Sequence, residues 1–377
     1  MYRTWIEIRE QALVSNIQTL RSLMGNGAVF CAVLKANAYG HGLKEVARIA
    51  RRVGVDAFAV DSIDEALILR DLFPTSLLIV LGYTMSERFS DAIHAQIDLT
   101  LYDLEGLREL EAIASKSAQQ ARVHLKIETG TSRQGANMDD VPDLLNILRE
   151  SPHIQLTGLS THFANLEDTY NPEYATLQFQ RFQAVCELVA RFGFSPEYKH
   201  CACSAAIILY PDTQGTLVRA GISLYGIWPS SSIEETMKKQ SISCKLEPVL
   251  TWKTRIAQVK SLPAGTPIGY GLTETLTKRS RIAVLPVGYY DGYDRRLSSK
   301  GEVLIGGYRC RVIGRVCMNM MMVDVSAVPN VLKNQEAILL GSDARHHMSA
   351  DQIATKISTI SYEIVSRIHP ALPRVIV

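Results

Sequence analysis

Short apolar runs and amphipathic segments alternate along the first 225 residues. Amphipathic segments such as LKEVARIARRVG and VPDLLNILRE repeat apolar residues at three- and four-residue spacing, which is typical of helices. Strands that alternate with helices predict a parallel sheet with crossover helices. The predicted strands are Phe30–Leu34, Asp56–Val60, Leu77–Gly82, Leu99–Tyr102, Val123–Glu128, Leu156–His162, Tyr198–Cys203 and Leu217–Gly221. Eight such strands predict a (β/α)₈ TIM-like barrel; a doubly wound open sheet is the alternative.

The pattern changes after residue 235. Segments such as LTWKTRIAQVKSL, RIAVLPVGYY and EVLIGGYRCRVIGR are rich in β-forming residues and are separated by Gly, Pro and Asp. One helix is predicted near the end of the chain, with Ser349 as its N-cap. We therefore predict an α/β barrel over residues 1–235, followed by a mainly β domain over residues 236–377.

Composition excludes several classes of protein. The 40 Lys and Arg residues nearly balance the 38 Asp and Glu residues, which gives no electrostatic signature for binding nucleic acid or an anionic membrane. No apolar run approaches the ~18 residues of a membrane span, and the first residues, MYRTWIEIRE, do not resemble a signal peptide. Seven cysteines, an odd number, fit reduced thiols better than a disulfide framework. We expect a cytoplasmic protein.

Lys35 closes the first apolar strand. Residues alternate between faces along a strand, so Lys35 shares a face with Cys31 and Val33. In a parallel barrel the chemistry lies at the C-terminal ends of the strands. Desolvation there would lower the pKa of a lysine and provide a neutral amine as nucleophile or base. The alternative is a lysine that reaches the solvent at the rim and has no function.

Further polar residues end the later runs. His162 ends the sixth run, and Arg219 lies within the eighth, where an unpaired cation would be costly. Cys203 and Ser204 precede what reads as a capped helix start, in the place where such barrels commonly bind phosphate. An amine, an imidazole, a guanidinium and a phosphate site together suit pyridoxal phosphate held as a Schiff base. Cys201 and Cys203 have no partner pair at zinc spacing, so no metal site is predicted.

Seven sequence blocks resemble, in the same order, those of the bacterial alanine racemase family. They are VFCAVLKANAYGHG, THFAN, VRAGISLYG, IGYGLT, LPVGYYDGY, GRVCMNMMMVDVS and ISYEIVSRI. The resemblance runs from TWIEI to PRVIV, nearly the whole chain. It implies an enzyme that interconverts L- and D-alanine by two-base proton transfer on pyridoxal phosphate and supplies D-alanine for peptidoglycan. It also implies a homodimer with shared active sites.

The resemblance assigns roles residue by residue. Lys35 corresponds to the lysine that binds the cofactor and serves as one racemising base, and Tyr270 to the opposite base, which comes from the partner subunit. Arg219 corresponds to the arginine at the pyridine nitrogen and His162 to the imidazole against the ring. The residues that match positions around the cofactor phosphate are Tyr39, Ser204, Gly221, Ile222 and Tyr362.

The remaining matches concern the substrate. Arg133 corresponds to the arginine near the substrate carboxylate, and the backbone of Met318, from the partner, to a second carboxylate contact. Tyr289 and Tyr362 match tyrosines that narrow the entrance and favour small side chains. Lys126 matches a lysine that is carbamylated in some members; an ordinary lysine–glutamate pair is the alternative.

Three residues depart from the family pattern: Cys203, Thr131 and Asn319. They leave the substrate range open, so a racemase of serine or of broad specificity remains the main alternative. A decarboxylase of basic amino acids on the same architecture would need an acidic partner for a distal ammonium, and no motif provides one. A pyridoxal-phosphate-binding homeostasis protein would lack residues 240–377 and Tyr270.

Overall fold

The computed structural model describes residues 1–25, 27–117 and 119–377. The described chain divides into two compact units. The first, here the barrel unit, comprises Val14–Ala36 and Ala47–Glu247, and the second, the β-rich unit, comprises Met1–Leu13, Asn37–Val46 and Pro248–Val377. None of the described helices has the length and apolar character needed to span a membrane.

Strands and helices are numbered along the chain. The strands are β1 (Thr4–Ile8), β2 (Val29–Val33), β3 (Ala57–Val60), β4 (Leu77–Val80), β5 (Asp98–Leu101), β6 (Ala121–Lys126), β7 (Ile154–Ser160), β8 (Tyr198–His200), β9 (Leu217–Ala220), β10 (Leu250–Arg255), β11 (Gln258–Leu262), β12 (Pro267–Ile268), β13 (Glu274–Thr275), β14 (Ser280–Leu285), β15 (Glu302–Ile305), β16 (Tyr308–Ile313), β17 (Met321–Asp324), β18 (Glu336–Ser342), β19 (His347–Met348) and β20 (Arg374–Ile376). The helices are α1 (Glu10–Ser22), α2 (Lys35–Tyr39), α3 (Leu43–Arg52), α4 (Ile63–Leu72), α5 (Phe89–His94), α6 (Leu104–Ala114), α7 (Val141–Glu150), α8 (Glu173–Arg191), α9 (Ser204–Leu209), α10 (Ser231–Lys239), α11 (Ala350–Lys356) and α12 (Ser361–Ser366).

The strands of the barrel unit form a parallel barrel. Within the described residues, eight strands are hydrogen-bonded in the order β8-β7-β6-β5-β4-β3-β2-β9. The remaining gap, between β8 and β9, is bridged by backbone hydrogen bonds from Thr216 N to Lys199 O (3.0 Å) and from Arg219 N to Ala202 O (3.1 Å). The predicted (β/α)₈ barrel is confirmed, and the open-sheet alternative is wrong because neighbouring strands follow one another around a nearly closed ring.

Burial explains why these segments form strands and helices. Every residue of β3 and β5 is buried, as expected for parallel strands that are covered on both faces. Helix α7 buries one apolar stripe, which includes Leu144, Leu145 and Leu148. Helix α4 begins where the hydroxyl of Ser62 accepts the backbone N–H of Glu65, a side-chain cap. The C-terminal ends of the barrel strands are thereby set side by side.

The β-rich unit is built on one large sheet. Its strand order is β11-β14-β17-β16-β15-β18-β10-β1-β20, with β19 paired to β18. Strand β1 pairs antiparallel with β10, opposite Trp252 at Ile6, and parallel with β20, opposite Ile376 at Ile8. Strand β1 is not among the predicted strands, because both of its partners are distant in sequence. Strand β10 lies more than 240 residues away, and β20 lies near the end of the chain. The predicted mainly β character of the C-terminal region is confirmed.

The helix predicted after Ser349 begins as expected and ends early. Ser349 Oγ accepts the N–H of Gln352 (3.1 Å), and the side chain of Gln352 accepts the N–H of Ser349 (3.2 Å), a capping box. The N-cap prediction is confirmed. The prediction of a single helix is wrong, because the chain breaks between α11 and α12, where Ser358 adopts a left-handed conformation with φ of 55°.

Candidate active site

Lys35 lies at the C-terminal end of the first barrel strand. Strand β2 ends at Val33, and the N–H of Leu34 still bonds to Ala59 O (2.8 Å) on β3. The Lys35 side chain is 40% exposed, and its Nζ lies 3.5 Å from Asp61 Oδ1. The desolvation predicted for this lysine is therefore only partial in the single chain, because the residue stands just past the strand, at the rim. Its amine is accessible to a ligand.

The turn after Lys35 has unusual handedness. The residues of α2 that follow the lysine, Ala36 to Tyr39, have φ values between 51° and 55°, and Gly40 follows with a φ of 81°. Non-glycine residues in this region cost about 1–2 kcal/mol each, because Cβ crowds the following carbonyl. Glycine is required at the next position, since a Cβ on Gly40 would lie 1.9 Å from Val365 O. Such strain persists where the surroundings hold it, and it clusters at functional sites.

Arg219 is buried inside the barrel unit with its charge satisfied by carbonyl groups. Its side chain on β9 is 6% exposed. Its Nη2 donates to Thr161 O (2.8 Å) and Cys201 O (3.2 Å), and its Nη1 donates to His200 O (2.9 Å). Polar partners of this kind offset the cost of burying a cation. These carbonyl groups contribute to the orientation of the guanidinium.

His162 stands beside this guanidinium. Its Nδ1 lies 3.4 Å from Arg219 Nη2. Burial, followed by the positive charges of nearby residues, lowers the pKa of His162 to about 3. These charges belong to Arg219, Arg133, Lys126 and Lys35. The imidazole is therefore neutral at physiological pH, and it lies in a field of positive charge that favours anionic ligands.

Ser204 joins the ends of strands β8 and β9. Its Oγ accepts hydrogen bonds from Gly221 N (2.9 Å) and Ser223 N (3.3 Å). The predicted capped helix start differs in detail: α9 begins at Ser204, the N-cap is Cys203, and no side chain caps the helix. Ile222 opens the 3-10 turn Ile222–Tyr225. The Oγ of Ser223 is buried and has no hydrogen-bond partner among the described residues, which leaves a polar group available for a ligand.

Lys126 and Glu128 do not form the lysine–glutamate pair considered as an alternative. Lys126 Nζ donates to Gln134 Oε1 (3.1 Å). Glu128 accepts the hydroxyl of Thr131 (3.0 Å) and the N–H of Arg133 (3.2 Å), so it is used to fold the loop that carries Arg133. Burial, then the charge of Arg133, lowers the pKa of Lys126 to about 8. In a fraction of the molecules, the amine of Lys126 is consequently neutral and nucleophilic near neutral pH.

Tyr39, Tyr362, Tyr289 and Met318 belong to the β-rich unit. The rings of Tyr39 and Tyr362 lie 6.1 Å apart. The N–H of Tyr289 bonds to Cys317 O (3.0 Å), and the next N–H along the chain bonds to Met318 O (3.0 Å). These bonds tie two loops together. The structure therefore groups the predicted phosphate residues into two sets, Tyr39 with Tyr362 and Ser204 with Gly221 and Ile222, one in each unit.

Tyr270 also belongs to the β-rich unit and is presented on its surface. The side chain is 72% exposed, and it sits in a 3-10 turn between Gly269 and Gly271, with φ values of 71° and 73°. Other large apolar residues of this unit are exposed as well, among them Leu272, Tyr289, Tyr290, Met318 and Met320. The single chain does not bury this tyrosine.

Sequence reasoning missed three buried polar residues of the barrel unit. Asp98, His124 and His200 are each at most 1% exposed, and a contact between His200 Nδ1 and Arg219 Nη1 connects them to the site. Each is a polar residue within or at the edge of an apolar run, the same signal that identified Arg219. That signal marks the individual residues, whereas their contact with one another depends on strands far apart in sequence.

Comparison with known proteins gives one consistent result. The family described as "Alanine racemase, N-terminal domain" matches residues 8–229, and "Alanine racemase, C-terminal domain" matches residues 249–376. The chain is 35% identical over 378 residues to the alanine racemase of Leptospira interrogans serogroup Icterohaemorrhagiae serovar Lai (strain 56601), covering 100% of this chain and 96% of that protein. It is 38% identical over 373 residues to that of Desulforamulus reducens, covering 98% of each. A structure of Clostridium difficile 630 alanine racemase in complex with cycloserine has a TM-score of 0.91 at 33% identity, covering 100% of this chain and 96% of that one.

Proposed function

Because the chain belongs to the alanine racemase family, we infer that it is an isomerase that interconverts L-alanine and D-alanine. The observation that supports this function best is the set of groups at the C-terminal ends of the barrel strands. An accessible amine at Lys35, a neutral imidazole at His162 and a buried guanidinium at Arg219 lie within one positive field. The resemblance to the family assigns a role to each of these three groups.

The cofactor we propose is pyridoxal phosphate, and the residues present fit it. The hydroxyl of Ser204, whose oxygen is held in place by the N–H groups of Gly221 and Ser223, and the unpartnered Oγ of Ser223 are two hydroxyl donors suited to a phosphate. Ile222, Tyr39 and Tyr362 are the further residues proposed around this group. When bound, pyridoxal phosphate makes the α-proton of an amino acid acidic, because it delocalises the electron pair left behind.

Racemisation needs a proton acceptor on each face of the α-carbon. A single base would tend to return the proton to the face from which it came, which preserves handedness. We assign the amine of Lys35 to one face and the phenol of Tyr270 to the other. Each group takes up a proton at its own atom, Nζ or Oη, while the opposite group delivers one.

Arg219 and His162 control the surroundings of these protons. An arginine hardly ever gives up its proton, so Arg219 at the pyridine nitrogen would donate a hydrogen bond and leave that nitrogen unprotonated. This limits electron withdrawal and discourages side reactions such as transamination. His162, which is neutral because of its pKa of about 3, adds no further positive charge beside the ring.

The second base and two substrate contacts are proposed to act between subunits of a homodimer. Tyr270 is 72% exposed in the single chain, and Met318 is 55% exposed, so both are available to a second copy. Arg133 in the barrel unit and the backbone of the partner's Met318 would bind the substrate carboxylate. Tyr289, with Tyr362, would narrow the entrance and favour a small side chain such as that of alanine.

The cellular role follows from the product. D-Alanine is a building block of peptidoglycan, and we propose that the enzyme supplies it in the cytoplasm. All of the described cysteines are free thiols, which suits a reducing compartment. The near balance of positive and negative residues gives no reason to propose nucleic acid or a membrane as a partner.

The decisive experiment uses the purified protein loaded with pyridoxal phosphate in deuterated water. L-Alanine and L-serine are supplied separately, and optical rotation and α-deuterium incorporation are followed together. We expect loss of rotation and deuterium uptake with L-alanine at a much higher rate than with L-serine. If rotation is lost faster with L-serine than with L-alanine, serine and not alanine is the preferred substrate. Deuterium uptake with retained handedness would overturn racemase function altogether.

A further inference from the structure

A row of buried polar side chains crosses the barrel unit from Asp98 to Arg219. Asp98 Oδ2 lies 3.1 Å from His124 Nε2, and His124 Nδ1 lies 2.7 Å from His200 Nε2. His200 Nδ1 then contacts Arg219 Nη1. All four side chains are at most 6% exposed. The row links strands β5, β6, β8 and β9.

The chemistry of its two ends fixes the direction of every hydrogen bond in the row. A guanidinium can only donate, so His200 Nδ1 must accept from Arg219. The proton of a neutral His200 is then on Nε2 and is donated to His124 Nδ1. That leaves the proton of His124 on Nε2, where the carboxylate of Asp98 accepts it. Both imidazoles are therefore neutral Nε2–H tautomers between a cation and an anion.

The local environment agrees with this assignment. Burial alone would raise the pKa of Asp98, but the hydrogen bonds from His124 and Arg122 and the charge of Arg122 outweigh it and hold that pKa below its usual value. Burial, then the charge of Arg219, lowers the pKa of His200 far below its usual value. Asp98 is thus a carboxylate and His200 is neutral, as the hydrogen-bond directions require.

The strands are shaped to admit these side chains. A Cβ at residue 158 would lie 2.3 Å from His124 Nδ1, so only glycine on β7 leaves room for the imidazole. The register between β6 and β7 shifts at this point, between Val123 and His124. The ring of Tyr198 stacks on His124 with centroids 5.8 Å apart. Barrel packing is interrupted to accommodate a polar row, which argues against an incidental set of contacts.

We propose that Asp98 and His124 are positioning residues that act through His200 to hold Arg219 as an oriented, charged hydrogen-bond donor toward the cofactor ring. The carboxylate of Asp98 can only accept, so it sets the donor-to-acceptor direction of the hydrogen bonds along the row. An uncharged amide in its place can donate as well as accept, which allows both imidazoles to reverse and bring an Nδ1–H against the guanidinium. Arg219 then loses a partner and turns from its orientation. The inference rests on the proposed function, because it assigns these residues to a cofactor-binding arginine.

The first test needs no cofactor. Ring nitrogen chemical shifts of histidine are recorded by NMR on the apo-protein, for the wild type, for Asp98→Asn and for Thr157→Val. The hydroxyl of Thr157 donates to the same carboxylate (2.6 Å). Thr157→Val removes this hydrogen bond but keeps the charge of Asp98, which makes it the matched control. We expect Nε2–H tautomers at His124 and His200 in the wild type and in Thr157→Val, and a mixture of tautomers in Asp98→Asn.

The second test uses the loaded enzyme. Asp98→Asn should lower kcat about tenfold with KM within about twofold, and it should raise the fraction of turnovers that end in transamination, read from the absorbance of the bound cofactor. Asp98→Glu, which keeps a carboxylate, should restore much of this loss. A purely structural role would instead lower stability without changing the ratio of transamination to racemisation.

The outcomes separate the two proposals. A proton on His200 Nδ1, or a doubly protonated ring at either histidine in the wild type, overturns the assignment even if Asp98→Asn fails to fold. Altered tautomers with an unchanged transamination fraction would show that the row does not act through Arg219, which also overturns it. If the wild type does not racemise alanine while the apo-protein tautomers are as expected, the proposed function fails and the direction of the row stands.

Discussion

The two units place their proposed functional side chains in opposite environments. In the barrel unit, Arg219 is 6% exposed and makes hydrogen bonds to the carbonyl groups of three residues, and His162 is neutral because of its burial. In the β-rich unit, Tyr270 is 72% exposed and Met318 is 55% exposed. The side chains in the barrel unit are buried and hydrogen-bonded within a single chain, whereas Tyr270 and Met318 are exposed to solvent in the single chain.

This difference indicates a division of labour. A buried, hydrogen-bonded set is preorganised, so it can bind and orient a charged cofactor with little rearrangement. A surface of exposed aromatic and methionine side chains becomes buried only when another molecule binds to it. Variants of the buried set in the barrel unit should therefore act on cofactor binding, and variants of the exposed residues around Tyr270 should act through a second subunit.

The largest effect is expected from Lys35→Ala. On the proposed assignment, removal of the amine would eliminate both the covalent attachment of the cofactor and one racemising base, so activity should fall by at least about 10⁴-fold. The visible absorbance of the bound cofactor should disappear. Lys44→Ala, which removes an exposed lysine from α3, is the control and should leave both properties unchanged. Normal absorbance in Lys35→Ala would mean that another amine binds the cofactor.

Tyr270→Phe should reduce racemisation by about 10²–10⁴-fold while the cofactor remains bound. Its effect on α-deuterium exchange should be strong for one enantiomer of alanine and weak for the other, because only one face loses its base. Tyr83→Phe is a matched control, since Tyr83 in the barrel unit is also 72% exposed. Equal losses for both enantiomers would contradict the assignment of one base to each face.

Mixing the two inactive variants tests whether the second base crosses between subunits. In a hybrid of Lys35→Ala and Tyr270→Phe chains, one site would combine an intact lysine with the partner's intact tyrosine. Random exchange of subunits should then restore about a quarter of wild-type activity. If each tyrosine serves its own chain, no hybrid contains a complete site, and the mixture should stay inactive.

Leu272→Glu is expected to weaken the proposed dimer. Leu272 lies two residues from Tyr270 in the same turn and is 67% exposed in the single chain. Burial of a leucine side chain contributes about 1.5–3 kcal/mol, and symmetry doubles the contact, so the dimer Kd should rise at least about 100-fold. Sedimentation velocity over a concentration series measures this. Leu332→Glu, at an equally exposed leucine (68%), should leave the Kd unchanged.

The stability of the apo-protein should fall as the pH falls below 6.5. His162 has a pKa of about 3 in the native state against an ordinary 6.5, so the unfolded chain takes up a proton in this range and the native state does not. The loss should reach roughly 2 kcal/mol at pH 5 for this histidine. Urea unfolding at several pH values should show a shallower pH dependence in His162→Gln. His94→Gln, at an exposed histidine, should not reproduce that change.

Sequence patterns predicted the barrel well because its strands are continuous apolar runs. All of the predicted strands lie within three residues of observed ones. Lys35, His162 and Arg219 were recognisable because each interrupts or ends such a run. The pairing of β1 with β20 and the row from Asp98 to Arg219 were not predicted, because both depend on contacts between residues far apart in sequence. The break at Ser358 was missed because nothing in the local pattern requires its left-handed conformation.

The smallest effect is expected from a helix cap that touches neither functional surface. Ser349→Ala removes the hydroxyl that accepts the N–H of Gln352, and the free energy of unfolding should fall by about 1 kcal/mol. Ser349→Gly should cost only a few tenths of this, because glycine readily adopts the cap conformation. Asp103→Ala, which uncaps α6 in the barrel unit, should cost a similar amount, since Asp103 accepts the N–H of Gly106 (2.7 Å). Thermal unfolding and racemisation are measured on the same samples. If both cap variants keep full activity, the functional difference between the units arises from their exposed and buried side chains. If only one cap variant loses activity, the functional difference arises instead from the stability of the unit that carries that cap.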